Sequence, residues 1–130
     1  MSMDISGRKP TGERGKYFRS SIWWWHPLAR YCQQVAPEIT SACRDWHTND
    51  GDGLDAAGAL ALAEALQKEI DANRTDAYAR RYASERPNEP YLSWARTGLL
   101  GPFASECEFS TENVAAFAAF LRESGGFVIW

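Results

Sequence analysis

The residue types best suited to chemistry cluster in Cys43-Arg44-Asp45-Trp46-His47-Thr48-Asn49-Asp50-Gly51-Asp52-Gly53. His47 beside Asp45, Asp50 or Asp52 has the makings of a general base held by a carboxylate. Cys43 lies four residues before His47, the spacing of an activated thiol or of two zinc ligands on one helix face, with Cys32 and His26 as further ligands. The Asn-Asp-Gly-Asp-Gly run also has the look of a calcium loop. Its register fails. With Asp52-Gly53 at loop positions five and six, Thr48 takes the place of the first carboxylate, and Ala59 stands at the closing position with no side-chain oxygen. No cysteine pair has the short Cys-x-x-Cys spacing that marks a zinc site. No metal and no cofactor is therefore expected. In the structural reading, Asp52 caps the helix that follows and His47 fixes the turn through a backbone bond. His47, Asp50 and Asp52 remain the catalytic candidates of the alternative reading, a small enzyme or ligand-binding protein.

A second group of residues suits binding better than catalysis. Trp23-Trp24-Trp25, with Arg19 and Arg30 nearby, offers rings for stacking or for a protein interface. Trp24, Arg80, Arg81, Tyr91 and Trp94 are the binding candidates, because aromatic and arginine side chains anchor interfaces. The net charge of −3 weighs against a nucleic-acid partner. Charge is uneven, however. Residues 1–19 carry five basic against two acidic side chains, and residues 45–76 carry eight acids against Lys68 and Arg74. An acidic face of this kind suits a basic protein partner, or is simply solvated.

Several elements must position these groups. Residues 1–16, with Gly7, Pro10, Gly12 and Gly15 among polar and basic residues, read as a mobile basic tail. Three consecutive tryptophans point to an extended segment crossing the core. His26-Pro27 then opens a helix, since proline at the first helical position forfeits no hydrogen bond. Pro37-Glu38 opens a second, short helix. The strongest helical signal follows Gly53, where Leu54, Gly58, Leu62, Leu66 and Ile70 recur every four residues among alanines. Residues 74–85 also read as helical. Between 86 and 108, Pro87, Pro90, Gly98, Gly101 and Pro102 break every period, so the segment reads as irregular. Ser110 caps a last helix that Ser124-Gly125-Gly126 ends. The apolar Phe127-Val128-Ile129-Trp130 segment is expected as a short strand beside Phe18–Trp24.

The chain of 130 residues is long enough for one core without staples. The odd count of three cysteines and the lack of an apolar leader suggest free thiols in a reducing cytoplasm. No apolar run is long enough for a bilayer, so no membrane association is expected. The fold class is mainly α, a single helical domain over residues 17–130 with a small extended element near the Trp segment and the C-terminus.

Phe18-Arg19, Trp23-Trp24-Trp25, Pro27-Leu28, His47-x-Asn49-Asp50-Gly51-x-Gly53-Leu54 and the ending Glu112-Asn113-Val114 with Ser124-Gly125-Gly126-Phe127 together resemble a family of small uncharacterised bacterial proteins. The resemblance implies no activity, cofactor or partner. The residues themselves favour a non-enzymatic accessory protein that acts by protein–protein contact.

Overall fold

A computed structural model describes residues 2–48, 51–85 and 108–130. In chain order it contains β1 (Ser2–Gly7), a single 3-10 turn (Glu13–Gly15), β2 (Tyr17–Ser21), α1 (Ile22–Val35) and α2 (Pro37–Thr40). Then come β3 (Gly53–Leu54), α3 (Ala56–Asp71), α4 (Arg74–Glu85), α5 (Thr111–Ser124) and β4 (Phe127–Ile129). The chain is mainly α, with an antiparallel four-stranded sheet in the order β2-β1-β4-β3.

The N-terminal residues are not a tail. β1 lies inside the sheet, paired to β2 on one side and β4 on the other. Its sequence alternates, so Met3 and Ile5 point into the core while Ser2, Asp4 and Ser6 face outward. The glycines that suggested mobility serve close backbone approach instead. A Cβ on Gly7 would fall 1.9 Å from the Gly15 carbonyl oxygen, and one on Gly15 would fall 1.9 Å from that of Glu123. Arg8, Lys9 and Thr11 donate backbone N–H groups to the carbonyls of Gly126, Ser124 and Glu123 at 2.8–3.0 Å. The segment after β1 is thereby laced to the end of α5.

The tryptophan run also departs from expectation. It lies on α1, which begins at Ile22, and Pro27 sits in the second turn rather than at the start. Proline has no N–H to offer the carbonyl four residues back, that of Trp23. Glu108 N–H fills that place at 2.9 Å. On a helix the three rings fan out, so Trp25 is wholly buried, Trp23 is partly covered and Trp24 is exposed.

The remaining helices follow the sequence closely. Pro37 opens α2. Asn73, with φ of 62°, breaks the chain between α3 and α4. The Ser110 hydroxyl accepts Asn113 N–H at 3.1 Å to cap α5, and Gly125 ends it at φ 66°. α3 lays its alanines against α5, with Ala59, Leu62, Ala63, Val114, Phe117, Ala118 and Leu121 all fully buried. β4 forms as a strand, but between β1 and β3; the missed strand β1 separates it from β2.

Rings fill the core. Phe18 of β2 packs on Phe117 and Phe120, and Trp25 meets the edge of Phe117 at 5.5 Å between centroids. Trp25 also stacks on Trp46. Both indoles are satisfied: Trp25 Nε1 donates to the Trp46 carbonyl at 2.5 Å, and Trp46 Nε1 to the Thr40 carbonyl at 3.1 Å. These bonds fix the chain entering the His47 turn. Among the described residues, no helix is long and apolar enough to cross a membrane. The segment 86–108, including Tyr91 and Trp94, lies outside the described residues except for Glu108.

Candidate functional site

Trp46, pinned between Trp25 and Phe127, carries the chain past α1 and brings His47 onto His26. The two Nδ1 atoms lie 2.7 Å apart and the ring centroids 4.8 Å apart. Only one Nδ1 can carry the shared proton, so one ring donates and the other accepts. Burial, the larger cause, acts with a neighbour, His47 on His26 and Arg30 on His47, to push both rings down to about 4. At neutral pH this is an uncharged pair whose Nδ1 atoms are spent on each other. In sequence, His26 stood out as the second histidine and as a candidate further ligand for a zinc held by Cys43 and His47. A direct bond between the two rings was not foreseen there, because α1 and the turn meet only through tertiary packing.

Of the three carboxylates expected behind His47, Asp52 is engaged elsewhere. Asp52 Oδ2 accepts the backbone N–H groups of Arg44 at 2.8 Å and Asp45 at 3.2 Å, and Oδ1 accepts that of Gly53 at 2.9 Å. These bonds hold its carboxyl below the usual range, the Arg44 amide being the largest cause. Asp52 thus ties the turn, but it does not cap the following helix. Gly53 and Leu54 must first pair with β4, so α3 starts later, and Asp55 is its cap, accepting Gly58 N–H at 2.7 Å. Asp50 lies outside the described residues.

Cys43 is buried, and burial together with the Asp52 charge pushes its thiol up to about 12. Such a thiol is protonated at neutral pH and is no nucleophile. Cys32, fully buried, is pushed up as well. Among the described residues, no group of three or more His, Cys, Asp or Glu side chains is placed to hold a metal.

Of the binding candidates, Arg81 and Trp24 line two separate clefts. One, of about 380 Å³, lies between α1, α3 and α4 and is lined by Tyr31, Gln34, Glu69, Arg74, Tyr78 and Arg81. Arg74 pairs with Glu69, and the Arg81 guanidinium sits 5.3 Å from the Tyr78 ring centre. Arg80, one helical step from Arg81, is exposed and does not line this cleft. The other cleft, of about 440 Å³, lies where β2, the start of α1 and the start of α5 meet. Arg19, Ser20, Trp24, Glu112, Asn113 and Ala116 line it. Trp24, 37% exposed, is its large apolar group. The α5 side of this cleft escaped the sequence reading. Its one trace there is the three-residue spacing of Ser110, Asn113 and Ala116, which places them along one helix face.

Comparison of the chain with family models, with curated proteins and with solved structures found no match.

Proposed function

We propose that this chain is a single-domain, non-enzymatic protein-binding module whose contact surface is the cleft of Trp24 and Arg19. The observation that carries the reading is the outward position of Trp24. A large ring stands at the mouth of a cleft next to an exposed arginine, while its neighbour Trp25 supplies the core. Tryptophan and arginine are the residue types that anchor protein interfaces. Three of the groups suited to catalysis are committed to the fold instead. His47 is bound to His26, Asp52 to backbone N–H groups, and Cys43 is held as a buried thiol. The resemblance to small bacterial proteins is compatible with this role and adds no activity to it.

Photo-crosslinking tests the reading. With p-benzoylphenylalanine in place of the exposed Ala115 of α5, irradiation of the expressing cells should give a discrete protein adduct. The same group in place of the exposed Ala83 of α4 should give none. Trp24→Ala should abolish the Ala115 adduct, since truncating an anchor of about 2 kcal/mol weakens binding roughly 30-fold. An adduct at position 115 that survives Trp24→Ala, or no adduct there, would refute the reading.

A further inference from the structure

The cleft of Trp24 runs beside a sheet edge whose backbone is open among the described residues. In an antiparallel ladder a residue turns its N–H and C=O to the same side, and successive residues alternate. Trp130 N–H donates to the Asp4 carbonyl, and Gly7 N–H donates to the Lys16 carbonyl. Asp4 and Ser6 therefore turn their backbone toward β4, whereas Met3, Ile5 and Gly7 turn theirs toward β2. The β2 residues opposite Met3 and Ile5, Ser20 and Phe18, spend their backbone on β1. Those opposite Asp4 and Ser6, Arg19 and Tyr17, point theirs away from the sheet. Among the described residues, no backbone bond reaches the Tyr17 and Arg19 groups on that side. Among the described strands, β2 is at the edge of the sheet.

We infer that β2 accepts an extended segment of a partner protein as a fifth strand, with one of its side chains seated in the Trp24 cleft. This rests on the protein-binding reading above and names the mode. Strand addition needs two things, a row of unpaired backbone groups and a pocket for alternate side chains. Both are present at one place. Phe18 and Ser20 point to the face covered by α5, and the cleft lies on that face, lined by Ser20 and Trp24, by Arg19 at the strand edge, and by Glu112, Asn113 and Ala116 of α5. An inward side chain of the added strand enters there. Its neighbours in sequence lie on the opposite face, beside the exposed Tyr17 and Arg19. Arg19 leans on Asp4 at 3.6 Å, with its side chain still 68% exposed, and Lys16, which pairs with Glu13 at 2.9 Å and keeps 61% of its side chain exposed, lies just beyond the strand. The occupant is therefore an extended peptide with an apolar residue flanked by an acidic one. A second copy of this chain fits less well, because the register that pairs all of β2 with itself sets Arg19 against Arg19.

The test uses a phage-displayed library of random linear peptides selected on the full chain. Enriched peptides should share an apolar residue beside an acidic one. Their binding should be lost with Ala116→Trp, which fills the cleft from an exposed helix position, and with Arg19→Pro, which removes an outward N–H and no ladder bond. Thermal melting checks that each variant is folded; Ala116→Trp carries the decision if Arg19→Pro is not. Bound peptide should slow exchange of the Tyr17 and Arg19 amides by at least about tenfold. Peptides that bind wild type and Ala116→Trp alike, or that leave those amides unprotected, overturn strand addition. So does a library that yields no enrichment, or a dimer of this chain that Arg19→Pro dissociates. The crosslink at position 115 does not depend on the edge amides, so the broader protein-binding reading stands or falls separately.

Discussion

The buried imidazole pair makes the sharpest residue-scale demand on solution conditions. Both rings are neutral in the folded chain down to about pH 4, whereas an unfolded histidine takes up its proton near pH ~6.5. Between those values the unfolded state binds more protons than the folded one, so stability falls as pH falls. The slope approaches about 1.4 kcal/mol per pH unit for each ring. Urea unfolding at a series of pH values between neutrality and pH ~4.5 should show this loss, and the double variant His26→Leu, His47→Leu should flatten it. A stability that does not change over that range would mean that the rings are not buried together. Asp52 makes a different demand. Its two oxygens accept three backbone N–H groups, so Asp52→Ala should cost about 2 kcal/mol. Asp52→Asn, which keeps one acceptor oxygen, should recover part of that, whereas Asp55→Ala should cost about 1 kcal/mol as an ordinary cap loss. Equal costs for Asp52→Ala and Asp55→Ala in urea unfolding would contradict the different tasks given to the two carboxylates.

At the scale of elements, the sequence was most legible where the signal is local. The four-residue stripe of α3, the Ser110 cap and Gly125 stop of α5, and Pro37 at the head of α2 each act through residues within a turn or two of themselves. The misreadings share one cause, a partner distant in the chain. Pro27 looked like a helix start because a proline inside a helix strands a carbonyl. Here the Glu108 amide, from far along the chain, takes that carbonyl. Asp52 looked like a cap because nothing local shows that Gly53-Leu54 must first join β4. Gly7, Gly12 and Gly15 looked like flexibility, yet the space for a Cβ at Gly15 is filled by the Glu123 backbone, which belongs to a helix more than a hundred residues later. The same fact yields a test. Gly15→Ala forces the 3-10 turn and the end of α5 apart, and overpacking of this kind costs about 1–3 kcal/mol. Circular dichroism melting should place Gly15→Ala well below wild type. An unchanged midpoint would show that the two backbones are not in contact.

Across the whole molecule, residues far apart in sequence are interlocked. β1 lies between β2 and β4, and the residues after it are bonded to the last turn of α5. The candidate site depends on this arrangement. β2 is a usable edge only because β1 satisfies its other side, and the Trp24 cleft exists only because β2 and α5 are held together through Phe18, Phe117 and Phe120. The alternation Ser2-Met3-Asp4-Ile5-Ser6 was visible in the sequence, but a short period of two beside so many polar residues is a weak strand signal on its own. Its weight comes from Met3 and Ile5 being buried by elements the sequence does not place next to them. Removing residues 2–15 is therefore a severe test. It takes away two buried side chains, worth about 1.5–3 kcal/mol each, and both ladders of a central strand. Set against a total stability on the order of 5–15 kcal/mol, the loss should abolish cooperative unfolding or lower the melting midpoint by more than about 15 °C. A chain beginning at Lys16 that melts within a few degrees of the full chain, read by circular dichroism, would show that β1 is not part of the sheet, and the open edge assigned to β2 would fall with it.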